Sequence, residues 1–210
     1  MMVSKKLLLI VIVFLGISCS NQPKNVSQFI QLFESVNSLL ISRTIGPALI
    51  EVKFVPTELQ VAQEIFRQNL APTKEVYNQL NAAYENTGTF IFSMSSIEEN
   101  NFKRDLIEQS SGSLHEYSKN LRKATYDLES SFRLITPNDT IHPSIVQHIP
   151  NHRVTSKYTY AISFPIDQQI NKDELTLEYY DEFFQLGVQR FKFKLTQNDI
   201  PKFPFSDENN

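Results

Sequence analysis

His142, His148 and His152 fall within eleven residues, HPSIVQHIPNH, and are three of the chain's four histidines. Imidazoles gathered this closely can ligate zinc, which takes three or four N, O or S donors at about 2.0–2.3 Å. The spacing fits no zinc pattern, and Pro143 and Pro150 stiffen the run. Asp139 is the nearest carboxylate able to complete a ligand set. The expectation is therefore a partly exposed loop whose histidines bond to backbone, with no metal and no cofactor. His115-Glu116 opens like the zincin helix motif, but Lys119 stands where the second histidine belongs. A cation there repels a metal ion.

Other reactive groupings fail for similar reasons. There is no G-x-S-x-G elbow. The glycines at 16, 46, 88, 112 and 187 are too dispersed for a phosphate-cradling loop. Carboxylates pair at Glu98-Glu99, Asp173-Glu174 and Asp181-Glu182. General acid–base chemistry needs two carboxyl groups held apart in a cleft, whereas neighbours on a strand end point to opposite sides. Surface turns are the expectation for all three. Tyr179, Tyr180, Phe183 and Phe184 bracket the last pair. An exposed aromatic hairpin tip of that kind could stack on sugars or enter a partner groove. Tyr179 is in phase with Leu175 and Leu177 and belongs to a core, which leaves Tyr180, Phe183 and Phe184 as the candidate binding residues.

The elements that position these residues follow from periodicity. Val26, Phe29, Ile30, Phe33, Val36 and Leu40 form a helical face, with Ser27 a candidate cap. After Gly46-Pro47, Ile50, Val52 and Phe54 alternate with Glu51 and Lys53, the mark of a half-buried strand. Helices are predicted from Thr57, carrying Leu59, Ala62, Ile65 and Phe66, and from Thr73, with Asn86-Thr87-Gly88 closing the second. Thr89–Ser95 is a strand. Leu114, Tyr117, Leu121, Ala124 and Leu128 recur as an amphipathic helix suited to packing on a sheet, with Ser110–Ser113 as breaker and cap. Phe132, Leu134 and Ile145 fall in strands around a turn at 137–139. Tyr158–Phe164, Leu175–Tyr179 and Phe191–Leu195 alternate strictly. Glu178 is expected opposite Lys192 or Lys194. Seven or eight strands predict an α+β fold, an antiparallel β-sandwich of immunoglobulin-like or related type with inserted helices.

Composition sets the outer limits. The 210 residues include 41% hydrophobic and 20% charged, enough for a sizeable core. A formal net charge of −3 argues against a nucleic-acid partner. Residues 1–19, MMVSKKLLLIVIVFLGISC, have a positive start at Lys5 and Lys6, an apolar run from Leu7 to Leu15, small residues and then the chain's single cysteine. That is the anatomy of a secretory signal peptide, and the run is too short for a comfortable membrane span.

The end of this segment, Leu15-Gly16-Ile17-Ser18-Cys19, resembles the lipobox of bacterial lipoproteins. Gly16 stands where leucine is usual. The resemblance implies a diacylglyceryl group on Cys19, cleavage before it and acylation of the new amine. Ser20 in place of aspartate leans towards the outer membrane. Loss of Lys5 and Lys6 takes the net charge from −3 to −5, so the lipid rather than the body would hold the membrane.

More loosely, IEVKFVPTEL (50–59), FRLITPNDTIHPSIVQH (132–148) and LTLEYYDEFFQLGVQRFKF (175–193) resemble bacterial envelope lipoproteins with an α+β sandwich body and no assigned activity. The expected organisation is a signal peptide over 1–18, a lipidated tether over 19–25, one domain over 26–205 and a disordered tail over 206–210. The expected function is non-enzymatic, a structural or accessory lipoprotein of the cell envelope that binds an envelope protein partner. A carbohydrate- or ligand-binding lipoprotein using the tip at 179–184 is the alternative.

Overall fold

The structure is a computed structural model that describes residues 23–97, 106–150, 157–166, 174–184, 186–194 and 201–206. Cys19, His152, Glu98, Glu99 and Asp173 lie outside the described residues. Helix α1 is Val26–Glu34. Its cap is Asn25 rather than Ser27: the Asn25 side chain accepts from Gln28 N at 2.9 Å, and the Gln28 side chain accepts from Lys24 N at 2.9 Å. The last residues of the expected tether are thus bound into the first helical turn.

Strands β1 (Leu40–Ile45) and β2 (Ala48–Val55) form a hairpin through Gly46-Pro47. Gly46 has a φ of 56°, the left-handed region that glycine enters freely. Helices α2 (Thr57–Arg67) and α3 (Lys74–Tyr84) precede β3 (Thr87–Ser96). Gly88 does not close α3 as the sequence suggests. It lies within β3, where a Cβ would meet Ile166 Cδ1 at 2.0 Å, so glycine serves a close approach between elements.

A four-residue helix α4 (Leu106–Gln109) leads to α5 (Leu114–Tyr126). Ser113 caps α5 by accepting from Glu116 N, and Glu116 accepts in return from Gly112 N at 2.8 Å. Leu114, expected on the packed face, is exposed; Ala124 and, beyond the helix, Leu128 are buried. The remaining strands are β4 (Phe132–Ile135), β5 (Thr140–Ile141), β6 (Ile145–Ile149), β7 (Tyr158–Pro165), β8 (Glu174–Tyr180) and β9 (Val188–Lys194).

All pairings are antiparallel, in two sheets ordered β1-β2-β3-β7-β6 and β5-β4-β8-β9. Put β2, β3, β7 and β6 in the places of strands A, B, E and D, and β5, β4, β8 and β9 in those of C′, C, F and G. The order is then that of an immunoglobulin-like sandwich, with β1 added outside A and helices inserted between A and B and between B and C.

Aromatic rings fill the space between the sheets. Phe92 on β3 lies 5.0 Å from Phe132 on β4 and 4.8 Å from Tyr179 on β8, ring centre to ring centre. Phe90 and Phe54 meet Phe193 from the same side. At the β1 edge, Arg43 donates to Arg190 O at 2.9 Å and sets its guanidinium over the Phe191 ring, which links the two sheets. The expected partner of Glu178 is corrected by one pair: it faces Arg190, whose Nε donates to it at 2.9 Å, while Lys192 bonds Glu174. Ser206, expected to begin a loose tail, donates its N–H to Pro72 O at 3.0 Å.

Candidate functional site

The turn between β8 and β9 carries the densest polar arrangement described. Asp181 is 3% exposed. Its Oδ1 accepts from Tyr179 Oη and Phe183 N, both at 3.2 Å. Its Oδ2 accepts from Phe184 N and Leu186 N, both at 2.9 Å. Glu182 accepts from Ser131 Oγ at 2.7 Å and from the Lys123 ammonium on α5. Burial first, and then the Asp181 charge, push the Tyr179 phenol well above its ordinary range.

This pair of carboxylates is therefore not the surface turn that its sequence suggests. Asp181 winds the loop and Glu182 fastens it to α5 and to the 3₁₀ turn Glu129–Ser131. Neighbouring acids with every oxygen partnered hold a backbone in place; they do not form an acid–base pair. Sequence reasoning missed this because Asp and Glu are mostly exposed. The aromatic spacing around them was the available signal.

The turn also sorts the three candidate binding residues. Phe183 is 7% exposed, since its N–H is drawn to Asp181, and so it offers no stacking face. Phe184 is half-buried against the core. Tyr180 is 53% exposed. It stands between a hollow of about 250 Å³ bounded by Ser131, Arg133, Glu178 and Val188, and one of about 380 Å³ bounded by Asp181, Glu182 and Gly187.

The described histidines do not converge. His142 is exposed beside an open hollow of about 500 Å³ with Tyr126, Asp127 and Glu129. His148 lies on β6 with its ring 5.5 Å from that of Tyr160, and burial lowers its pKa. Asp139 accepts from Thr140 N within its own turn. His115 is in the first turn of α5. Among the described residues no three histidine, cysteine or acidic side chains are placed to hold a metal ion.

Two further surfaces were not legible beforehand. The inner positions of β3, β7 and β6 are buried or half-buried, and the alternate ones point to the other side: half-buried Thr89, Ile91 and Ser95 with buried Ser93; half-buried Thr159, Ala161 and Ser163; exposed Ile145, Gln147 and Ile149. None of these ten residues is charged, but Glu51 and Lys53 of β2 pair with Ser93 and Ile91, and Lys157 just before β7 bonds Glu51 at 2.6 Å. Ile145 and Ile149 are 58% and 41% exposed on the edge strand. Edge strands are ordinarily guarded by charge or proline, and β6 has neither within it. The second surface is an open groove of about 560 Å³ at the helical end, between the start of α1, the end of α2 and residues 204–206.

No family model matches the chain, and no curated protein is detectably similar to it. Among solved structures it is similar to a DUF4426 family protein from Pseudomonas aeruginosa PAO1. The TM-score is 0.37 at 9% identity, over 76% of this chain and 94% of that one. The class defined by the fold is an α+β protein built on a β-sandwich.

Proposed function

We propose that the chain is a lipid-anchored bacterial envelope lipoprotein whose sandwich body is a non-enzymatic accessory module that binds another envelope protein. The anchor would be acyl chains, of palmitate type, on Cys19. The outer membrane is the favoured location, on the strength of Ser20. Among the described residues no helix is long and apolar enough to cross a membrane, and lipidation gives retention without one.

The observation that carries the partner-binding reading is the unguarded edge strand β6 with its exposed Ile145 and Ile149. Exposed apolar residues on a sheet edge that no charge or proline guards favour contact with protein. A photo-crosslinker at Ile145 should yield one discrete protein adduct in cells, and Ala161→Glu in the same chain should abolish it while leaving the fold intact. Recovery of adduct-free monomer alone would contradict the reading.

A second reading rests on Tyr180, which with its two flanking hollows could stack a sugar ring. Glycan binding lost on Tyr180→Ala would favour it. Because Phe183 is buried and Phe184 half-buried, this platform is one exposed ring rather than three.

A further inference from the structure

The groove at the helical end is built by a specific helix ending. Asn69 takes a φ of 53°, Leu70 N donates to Ile65 O at 2.9 Å and Asn69 N donates to Phe66 O at 3.3 Å. This is the Schellman arrangement, in which the left-handed residue turns the chain and the next one packs back on the helix. Its effect is to present Leu70 beside Phe66. Across the groove, Phe205 is held by contacts of Tyr77 with Phe203 and Phe205 and by the Ser206–Pro72 hydrogen bond. Phe66 is 61% exposed, and Leu70 and Phe205 are exposed with it. Lys24 and Asn25 complete the rim, so the groove adjoins the point where the chain enters α1.

Position on the molecule decides what meets this rim. The five steps of chain from Cys19 to Lys24 reach at most about 18 Å. If Cys19 carries the lipid, Lys24 cannot stand further than that from the anchored cysteine. The opposite end is the turn at 181–187 with the β1–β2 hairpin, where a Cβ on Gly46 would touch Leu186. The eight residues of β2 run between the two ends and span roughly 25 Å.

We infer that the Phe66–Leu70–Phe205 rim lies in the headgroup layer of the bilayer, as a second contact beside the acyl chains, with Tyr180 and the outer sheet face held clear of it. Exposed phenylalanine and leucine beside a lysine suit the border between headgroups and acyl chains. Two anchoring contacts would fix the body's orientation, where a short tether alone would let it tumble. The inference rests on lipidation of Cys19, as the function proposed above does.

The chain contains no tryptophan, so Phe66→Trp and Tyr180→Trp each give a single indole reporter. Both variants, purified from membranes as the lipoprotein and reconstituted in phosphatidylethanolamine/phosphatidylglycerol vesicles, are titrated with brominated lipids. Phe66→Trp emission should shift to the blue and lose several-fold in intensity, while Tyr180→Trp emission should not change. Vesicle-bound protein whose Phe66→Trp emission stays unquenched overturns the inference and leaves lipidation standing. A blue shift without quenching would show protein, a second copy included, covering the rim, and overturns it too. Protein without acyl chains that stays off the vesicles overturns the inference together with the lipoprotein reading.

Discussion

Phe92 on β3 and Tyr179 on β8 meet across the two sheets with ring centres 4.8 Å apart, and Phe132 on β4 stacks on Tyr179 at 5.2 Å. In the immunoglobulin order these are the B, F and C strands, which in antibody domains carry a disulfide and the tryptophan packed on it. Here three rings fill that place, in a chain whose single cysteine lies far outside the sandwich in sequence. Tyr179→Ala should cost about 3–5 kcal/mol, the usual penalty for emptying a buried aromatic site. Tyr179→Phe keeps the ring contacts and loses only the bond to Asp181, about 1 kcal/mol. Urea denaturation of the two variants separates these terms.

Asp181 has a different task, to accept the backbone N–H groups of its own loop. Asp181→Asn keeps one carbonyl oxygen and replaces the other with a donor, so the pair Phe184 N and Leu186 N and the pair Tyr179 Oη and Phe183 N can no longer both be met. A loss of about 1–3 kcal/mol is expected. Hydrogen exchange should also quicken at 183–186 ahead of the strands.

Gly88 faces Ile166 too closely for any side chain. Gly88→Ala should destabilise by about 1–3 kcal/mol through overpacking. Ile166→Val removes the Cδ1 atom that a Cβ would strike. The double variant should therefore lose less than the sum of the two single changes, as read by thermal melts in a double-mutant cycle.

Acid and alkaline stability have separate sources. Burial lowers the His148 pKa, so the folded state holds fewer protons than the unfolded chain once pH drops below the ordinary histidine value near 6.5. Its contribution is present above that pH and is lost as pH falls through the lowered folded value. Tyr77 is pushed up to about 12 by burial, so its contribution is intact below the ordinary tyrosine value near 10 and is lost as pH rises through the folded one. Melting temperatures across pH should fall less steeply for His148→Gln in acid and for Tyr77→Phe in alkali than for the parent chain.

The sequence made the buried strands plain because each alternates in and out along its whole length, as in β2, β7 and β8. It left β1, β5 and β6 faint, since exposed Leu40, Ile145 and Ile149 break the period and β5 has only two residues. Register was a harder matter. The partner of Glu178 depends on how much chain the turn at 181–187 takes up, and that depends on Asp181 being buried, which composition argues against. Phe66 sits two turns from Leu59 and reads as core, yet α2 has ended its packed face by then and leaves the ring exposed. Tyr180 was legible as a leftover in the strand's alternation. The unguarded edge at β6 was not, because only the strand order shows that β6 pairs on one side alone.

The proposed lipid on Cys19 underlies the location, the partner and the orientation proposed for this chain. Metabolic labelling with a fatty acid, read on membrane fractions of wild type beside Cys19→Ala, tests it most directly. Label and membrane recovery are expected in the wild type and neither in Cys19→Ala. Unlabelled wild-type protein, or label that survives Cys19→Ala, would contradict it.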